Sequence, residues 1–276
     1  MFIFPKERSY KTLTLKNVSA GCNGYDVISN INLNASEGET LCILGPNGCG
    51  KTTLIKTIAG IIPHKGTIKI DETCISSMKR IDVAKKIAVM SQLSNIYFSY
   101  TVYETVLLGR YLHMKNRAFK EPTAKDREYA DKCLKALDLL SYKNKQINTL
   151  SGGQLQRVYL ARTLAQEPSI ILLDEPTNHL DLKNQAELIE FLKSWSKEEG
   201  HTVIGVLHDL NLAMKLADKV LLLDKGHIVA YGKTEDVISS NIINKVYDMD
   251  VKGYMTDSLK YWSSLEVEPI KLRKIK

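Results

Sequence analysis

The run "TLCILGPNGCGKTTLIKTIAG", residues 40 to 60, constrains this chain more than any other stretch. "TLCILG" is a continuous apolar segment closed by glycine, which reads as a strand buried on both faces. "TTLIKTIAG" spaces Leu54, Ile55, Ile58 and Ala59 as a helix does, with Gly60 as its stop. Between them Gly45, Gly50, Lys51 and Thr52 match G-x-x-x-x-G-K-[ST]. A glycine loop that joins a buried strand to a helix aims backbone N–H groups at an anion. Gly45, Pro46, Asn47, Gly48, Cys49, Gly50, Lys51, Thr52 and Thr53 are therefore expected to wrap nucleotide phosphates. Lys51 would reach the β- and γ-phosphate oxygens, and Thr52 would place its hydroxyl on Mg²⁺.

The rest of the chain alternates in the manner of an α/β fold. "YKTLTLKNVSA", "ISNINLNASEGE", "GTIKIDE" and "IAVMSQ" read as strands. After about residue 93 the strand signal lapses until about 169. "TVYETVLLGRYLHM" opens with a capping box, Thr101 with Glu104. "AKDREYADKCLKALDLL" sets Tyr129, Cys133, Leu137 and Leu140 along one helical stripe. This part reads as a helical insertion. The alternation returns with a strand in "SIILLDEP", a helix in "LKNQAELIEFLKSWSKEE", a strand in "TVIGVL" and a helix in "DLNLAMKLA". "KVLLLD" and "HIVAYG" form a hairpin pattern across Lys225 and Gly226. From about 250 the periodicity is weak and the end, "KLRKIK", is basic, so a solvated terminus is expected.

Two acids and a second glycine pair complete the chemistry. Asp174 ends the strand "IILLD", where a carboxylate can hold Mg²⁺ directly or through water. Glu175 follows it, placed to orient and deprotonate a water attacking the γ-phosphate. In "LSGGQLQRV", Ser151 and Gln154 form another capping box, and Gly152 and Gly153 open the backbone to close approach. That helix start is a second anion site.

Together these residues resemble the nucleotide-binding subunit of an ABC transporter. "GPNGCGKTT" is similar to its Walker A, "LSGGQLQRV" to its signature and "IILLDEP" to its Walker B. Gln92 matches the Q-loop, "NHLD" at 178 to 181 the D-loop, and His208 in "VLHDL" the switch histidine. The resemblance covers about residues 10 to 250. It implies a P-loop ABC-ATPase fold: a mainly parallel core sheet, an antiparallel β subdomain and an inserted α-helical subdomain. The expected divisions are an ATPase domain at 1–250, with core 1–92 and 167–250 and helical part about 93–166, and an extension at 251–276. ATP and Mg²⁺ are the implied cofactors. Two copies would pair head to tail, each ATP lying between one Walker A and the partner's signature. Glu175 would then be the general base, His208 a γ-phosphate contact, and Gln92 a sensor of metal and water. Ser151, Gly152, Gly153 and Gln154 would face the other copy's nucleotide, and Asp181 would communicate across the dimer. The family places an aromatic residue on adenine; the aligned position here is Cys22, with Tyr25 three residues later as the other candidate.

Composition fits an ordinary globular chain: 276 residues, 44% hydrophobic, 25% charged, formal net charge +7. That charge suits nucleotide phosphates, an anionic membrane face or nucleic acid equally, and selects none. The longest apolar runs fall far short of the ~20 residues of a membrane helix. Five cysteines without a C-x-x-C suggest reduced thiols. Cys49, beside Lys51, is expected to have a lowered pKa and to be the most alkylation-sensitive of them, with MgATP protecting it. One motif set and no membrane span are similar to an importer subunit on the cytoplasmic face of the membrane, docked on separate permease subunits through residues around 93 to 103. An extracytoplasmic substrate-binding protein would act indirectly, and no nucleic acid is expected. "GPNGCGKTTL" and "VLHDLNLA" look most like the group importing iron-siderophores, haem or cobalamin. The alternative is a non-transport ABC ATPase, such as an iron–sulfur assembly or nucleic-acid-linked ATPase.

Overall fold

A computed structural model describes residues 13–22, 24–91, 100–114, 121–178, 180–198 and 201–265. At its centre β3 (Thr40–Leu44) is buried at every position. Leu41 and Ile43 enter one hydrophobic core, Cys42 and Leu44 another. A strand apolar on both faces demands a layer on each side.

β3 lies inside a six-stranded sheet with β6 (Ile87–Met90), β7 (Ile170–Asp174), β8 (Thr202–Val206), β9 (Lys219–Asp224) and β10 (His227–Lys233). The order is β10-β9-β3-β8-β7-β6. All neighbours pair parallel except β10, which folds back on β9. The β9–β10 turn has Lys225 at φ 45° and Gly226 at φ 80°, the paired positive values that suit a tight hairpin. A separate antiparallel sheet has the order β2 (Tyr25–Ala35), β1 (Leu13–Cys22), β4 (His64–Ile70), β5 (Thr73–Cys74). It shares one core with α1 (Lys51–Ile58), lying over Leu41, Ile43, Leu172 and Ile204 of the main sheet.

The opposite face carries α3 (Val102–Leu108), α4 (Ala124–Ala136), α5 (Gly152–Ala165), α6 (Leu182–Glu198) and α7 (Leu210–Leu216). The first three fall between β6 and β7 in the chain, as the lapse in strand signal predicts. Thr101 and Glu104 form both bonds of the expected capping box. A second box, Thr123 with Asp126, opens α4. Arg110, 3% exposed, ties this region together. It bonds Asp126 at 3.1 Å, the Ala165 carbonyl at 2.9 Å and Glu167 at 3.2 Å. Burial opposes the Asp126 charge, but the bonds from Thr123 and Arg110 outweigh it and hold the carboxyl below its usual range.

Two expectations change. The stripe on α4 stops early: the helix ends at Ala136, and Leu140 is exposed on a 3-10 turn. The stretch after 250 is helical, α10 (Val251–Ser264), capped by Asp250. Val251 and Met255 pack on the core while Leu259 and Trp262 stand in solvent. Three short helices, α2 (Arg80–Lys86), α8 (Thr234–Ile238) and α9 (Asn241–Tyr247), carry no distinct sequence signal.

Candidate functional site

The loop between β3 and α1 is built on conformations that glycine alone tolerates. Gly45 has φ 145°, and a Cβ there would lie 2.1 Å from the Leu223 carbonyl oxygen. Gly50 has φ 107°, and a Cβ would lie 2.7 Å from Ile28. No side chain caps α1, so its first N–H groups stay free of intramolecular caps. Pro46 is half-buried, and Asn47 and Gly48 are exposed at the loop tip. Gly226 of the β9–β10 turn donates to the Cys49 carbonyl at 3.0 Å and braces the loop. Lys51, 6% exposed, folds back to the carbonyls of Gly45 (2.8 Å) and Pro46 (2.9 Å). Thr53 is half-buried on the first turn.

Thr52 donates its hydroxyl to Asp174 Oδ1 at 3.1 Å. Burial pushes the Asp174 carboxyl above its usual range; the Thr52 bond lowers it and the neighbouring Glu175 charge raises it again. A buried acid facing a hydroxyl suits a hard divalent cation, which would relieve its cost of ionisation. Among the described residues no cluster of three His, Cys, Asp or Glu could hold a metal.

Glu175 sits at φ 57°, unusual for a side chain of its size. Its N–H donates to the Val206 carbonyl of β8 at 3.2 Å. That backbone turn brings its carboxylate against His208 Nε2, at the end of β8, and under the carboxamide of Asn178. Asp209, next to His208, caps α7 through the N–H groups of Asn211 and Leu212. The carboxylate thus has its direction fixed by two partners, an arrangement able to orient a water and take its proton.

The glycine pair at 152–153 lies in different surroundings. Ser151 and Gln154 make the expected capping box. Ser151 and Gly152 are exposed; Gly153 is buried against Asn184, which a Cβ would approach to 2.7 Å. Asn184 accepts from Arg157 at 2.7 Å and donates to Asp181. Gln156 donates to the Pro176 carbonyl at 2.6 Å. Asp181 is exposed, and the Asn184 backbone N–H, despite some desolvation, holds its carboxyl below the usual range. The second loop is therefore tied to the segment after β7. Among the described residues no hydrogen bond joins 150–154 to 45–53.

The structure thus gathers Lys51, Thr52, Asp174, Glu175 and His208 at the carboxyl ends of β3, β7 and β8, and leaves Ser151 to Gln154 and Asp181 apart. Gln92 lies outside the described residues, as does His179 of "NHLD". Tyr25 is 81% exposed at the β1–β2 turn, paired with exposed Cys22. Cys49 departs from expectation. Its thiol is buried, and desolvation raises its pKa more than Lys51 lowers it. Cys74, half-exposed, is the thiol pulled down, by its bond with Ser76. Sequence reasoning assigned no role to Asn178, which lies in the quoted "NHLD", or to Tyr247, whose hydroxyl meets the Gly45 N–H at 3.2 Å. No local pattern marks Tyr247.

A sequence profile described as ABC transporter matches residues 28–178. An uncharacterised ABC transporter ATP-binding protein of Methanocaldococcus jannaschii is 42% identical over 88% of this chain and 93% of its own length. The ferric enterobactin transport ATP-binding protein of Escherichia coli is 35% identical over 85% of this chain and 86% of its own. An ATP-binding cassette solved as a dimer in a post-hydrolysis state with ADP and Pi superposes with a TM-score of 0.70 and 33% identity, covering 80% of this chain and 98% of that one.

Proposed function

The chain belongs to the ABC transporter family of ATP-binding subunits, which hydrolyse ATP, and on that ground we propose that it powers import of an iron chelate of siderophore, haem or cobalamin type through separate permease subunits. The cargo follows the relative named for ferric enterobactin. The observation that carries the ATPase mechanism is the convergence of Lys51, the Thr52–Asp174 pair and the Glu175–His208 contact at adjacent strand ends.

In this reading the N–H groups of 48–53 and the Lys51 ammonium hold the phosphates. Thr52 and Asp174 would hold Mg²⁺, with Gln92 as its sensor, and the ion would supply charge neutralisation for the phosphates. Glu175 takes the proton of the attacking water, with its carboxylate aimed by Asn178. His208 turns to the γ-phosphate once nucleotide is bound. Tyr25 or Cys22 lies under the adenine. A second copy, docked head to tail, completes the site with its own Ser151, Gly152, Gly153 and Gln154. The exposure of that helix start, and of Leu182 beside Asp181 at 85%, supports a covered face there. Among the described residues no helix is long and apolar enough to cross a membrane. The subunit then sits peripherally on the cytoplasmic face, with the permease against residues 93–103, of which Tyr100 is exposed. A substrate-binding protein acts from outside, and the domain limits proposed from sequence belong to the same reading. No observation favours the non-transport alternative.

The test is the mass of Glu175→Gln in solution, by size exclusion with light scattering. Losing a general base typically costs ~10²–10⁴-fold in rate, so ATP persists. ATP, but not ADP, converts monomer to dimer, and Ser151→Arg abolishes the conversion. A protein that stays monomeric with ATP even when co-purified with its permease overturns the shared site.

A further inference from the structure

Gly45, the first residue of the phosphate loop, is gripped from outside the loop. Its N–H donates to the phenol oxygen of Tyr247 at 3.2 Å, across a sequence separation of 202 residues. Tyr247 ends α9 on a firm base. Behind it Asp248 takes φ 52°, Met249 donates to the Asn244 carbonyl at 3.1 Å, and Val251 donates to Asn244 Oδ1 at 3.1 Å. Ile243 and Val251, both buried, anchor the two sides of that turn in the core. On its other flank Gly45 abuts the Leu223 carbonyl so closely that a Cβ would sit 2.1 Å away. The residue is wedged between the end of β9 and the end of α9.

Lys51 holds the other backbone group of Gly45. The Gly45 carbonyl accepts from Lys51 Nζ at 2.8 Å. The Lys51 ammonium gives a second N–H to the Pro46 carbonyl and keeps a third for phosphate oxygens. The bond from the Gly45 N–H to Tyr247 fixes the preceding peptide, between Leu44 and Gly45. We propose that Tyr247 is a positioning residue for the phosphate loop, holding the Gly45 N–H so that the loop meets nucleotide already in place. This rests on the ATP-binding reading of residues 45–53. The phenol suits this role because burial pushes its pKa up, so it accepts as a neutral group and adds no negative charge beside the phosphates. The bond also makes the last turn of α9, far from every nucleotide motif in the chain, part of the nucleotide site's support.

Lys51 bonds the Gly45 carbonyl and Tyr247 its N–H, so neither bond replaces the other. Without the phenol the Gly45 N–H loses its acceptor, and because a buried unpaired donor is costly, the loop shifts to another peptide orientation that nucleotide must reverse. The test compares the full chain with Tyr247→Phe and Lys51→Ala. ATP and ADP affinity are read by calorimetry, turnover by KM and kcat, and the Gly45 amide by NMR. Tyr247→Phe weakens ATP and ADP about fivefold to tenfold. KM rises in step, kcat stays within about twofold, and the Gly45 amide proton moves upfield and exchanges faster. Tyr247→Trp, whose ring donates but does not accept, loses affinity as well. Lower thermal stability with unchanged affinity and KM overturns the proposal, leaving Tyr247 a structural contact. An unmoved Gly45 amide overturns it too. If Lys51→Ala binds ATP normally, the nucleotide reading of the loop itself falls; if Lys51→Ala abolishes binding while Tyr247→Phe is silent, only the role of Tyr247 falls.

Discussion

The two glycine-bearing helix starts, 45–53 and 150–154, look alike in sequence and differ in what they leave free. α1 has no side-chain cap; Gly50 precedes it at φ 107°, and its lysine is folded back on the loop. α5 caps itself, Ser151 to the Gln154 N–H and Gln154 to the Ser151 N–H. The first start is enclosed by β2, β9 and α9; the second stands in solvent with its back on Asn184. An anion site is not a property of glycines at a helix start. It depends on which N–H groups have already found partners and on what walls surround them. The first loop has its walls within one chain, and the second has an open face.

Alanine at each loop tests that difference most strongly. Gly45→Ala forces a Cβ toward a backbone carbonyl at a positive φ, and a backbone neighbour cannot step aside. Strain and overpacking together cost about 3 kcal/mol, a fall in melting temperature of about 6–10 °C. Gly153→Ala meets only the end of the Asn184 side chain, and alanine is the better helix former by up to ~1 kcal/mol. Its melting temperature stays within about 2 °C, while the ATP-dependent dimer of the Glu175→Gln background is lost. Equal thermal losses at the two positions would break the comparison.

A smaller effect separates the two aspartates. Asp174 is raised by burial, so the folded chain keeps that proton to higher pH than the unfolded chain. Stability from this group falls as pH rises from the unfolded value through the raised one, and stays lower above it. Asp174→Asn therefore melts higher than the parent at pH 7, by about 1–2 °C after allowance for solvent screening, although it loses ATP turnover. Asp181 is shifted down by Asn184, so its contribution is present above the unfolded value and is lost as pH falls through the depressed one. Asp181→Asn melts no higher than the parent at pH 7. Melting curves from pH 4 to 8 on both variants check the opposite signs, and an Asp174→Asn protein that melts lower at pH 7 refutes the first.

The smallest effect concerns thiols. Cys74, half-exposed and shifted down, alkylates ahead of buried Cys49 in the nucleotide-free chain. Peptide mass spectrometry after brief N-ethylmaleimide treatment reads the order. Faster labelling of Cys49 would show the phosphate loop to be far more open than the second loop's tight self-cap.

Much of the fold was legible because its signals are local. An all-apolar strand such as "TLCIL" has one physical solution, burial on both faces, and the capping boxes at Thr101 and Ser151 close within four residues. The gathering of the candidate residues was legible for a related reason: Asp174 and His208 sit at the ends of strands whose apolar runs announce them. What escaped was non-local. α4 stops at Ala136 where a periodic stripe ran on to Leu140, because the chain turns there with Asp138 at φ 54°. α10 gains its footing from Val251 and Met255 against a core assembled by distant helices, which weak periodicity does not reveal. Cys49 is misread from its neighbour Lys51, since a neighbouring charge is visible in sequence and desolvation is not.

The α/β alternation, the glycine loop after β3, the self-capped second loop and the acids at the end of β7 are all written in the linear chain. Each follows from spacing along a few residues, where sterics and hydrogen bonding act without help from the rest of the molecule. The meeting of His208 with Glu175, the backing of Gly153 by Asn184 and the hold of Tyr247 on Gly45 come from packing alone. Those contacts join segments up to 202 residues apart, and their partners are chosen by how the sheets and helices pack to bury apolar surface, which no short stretch of sequence encodes.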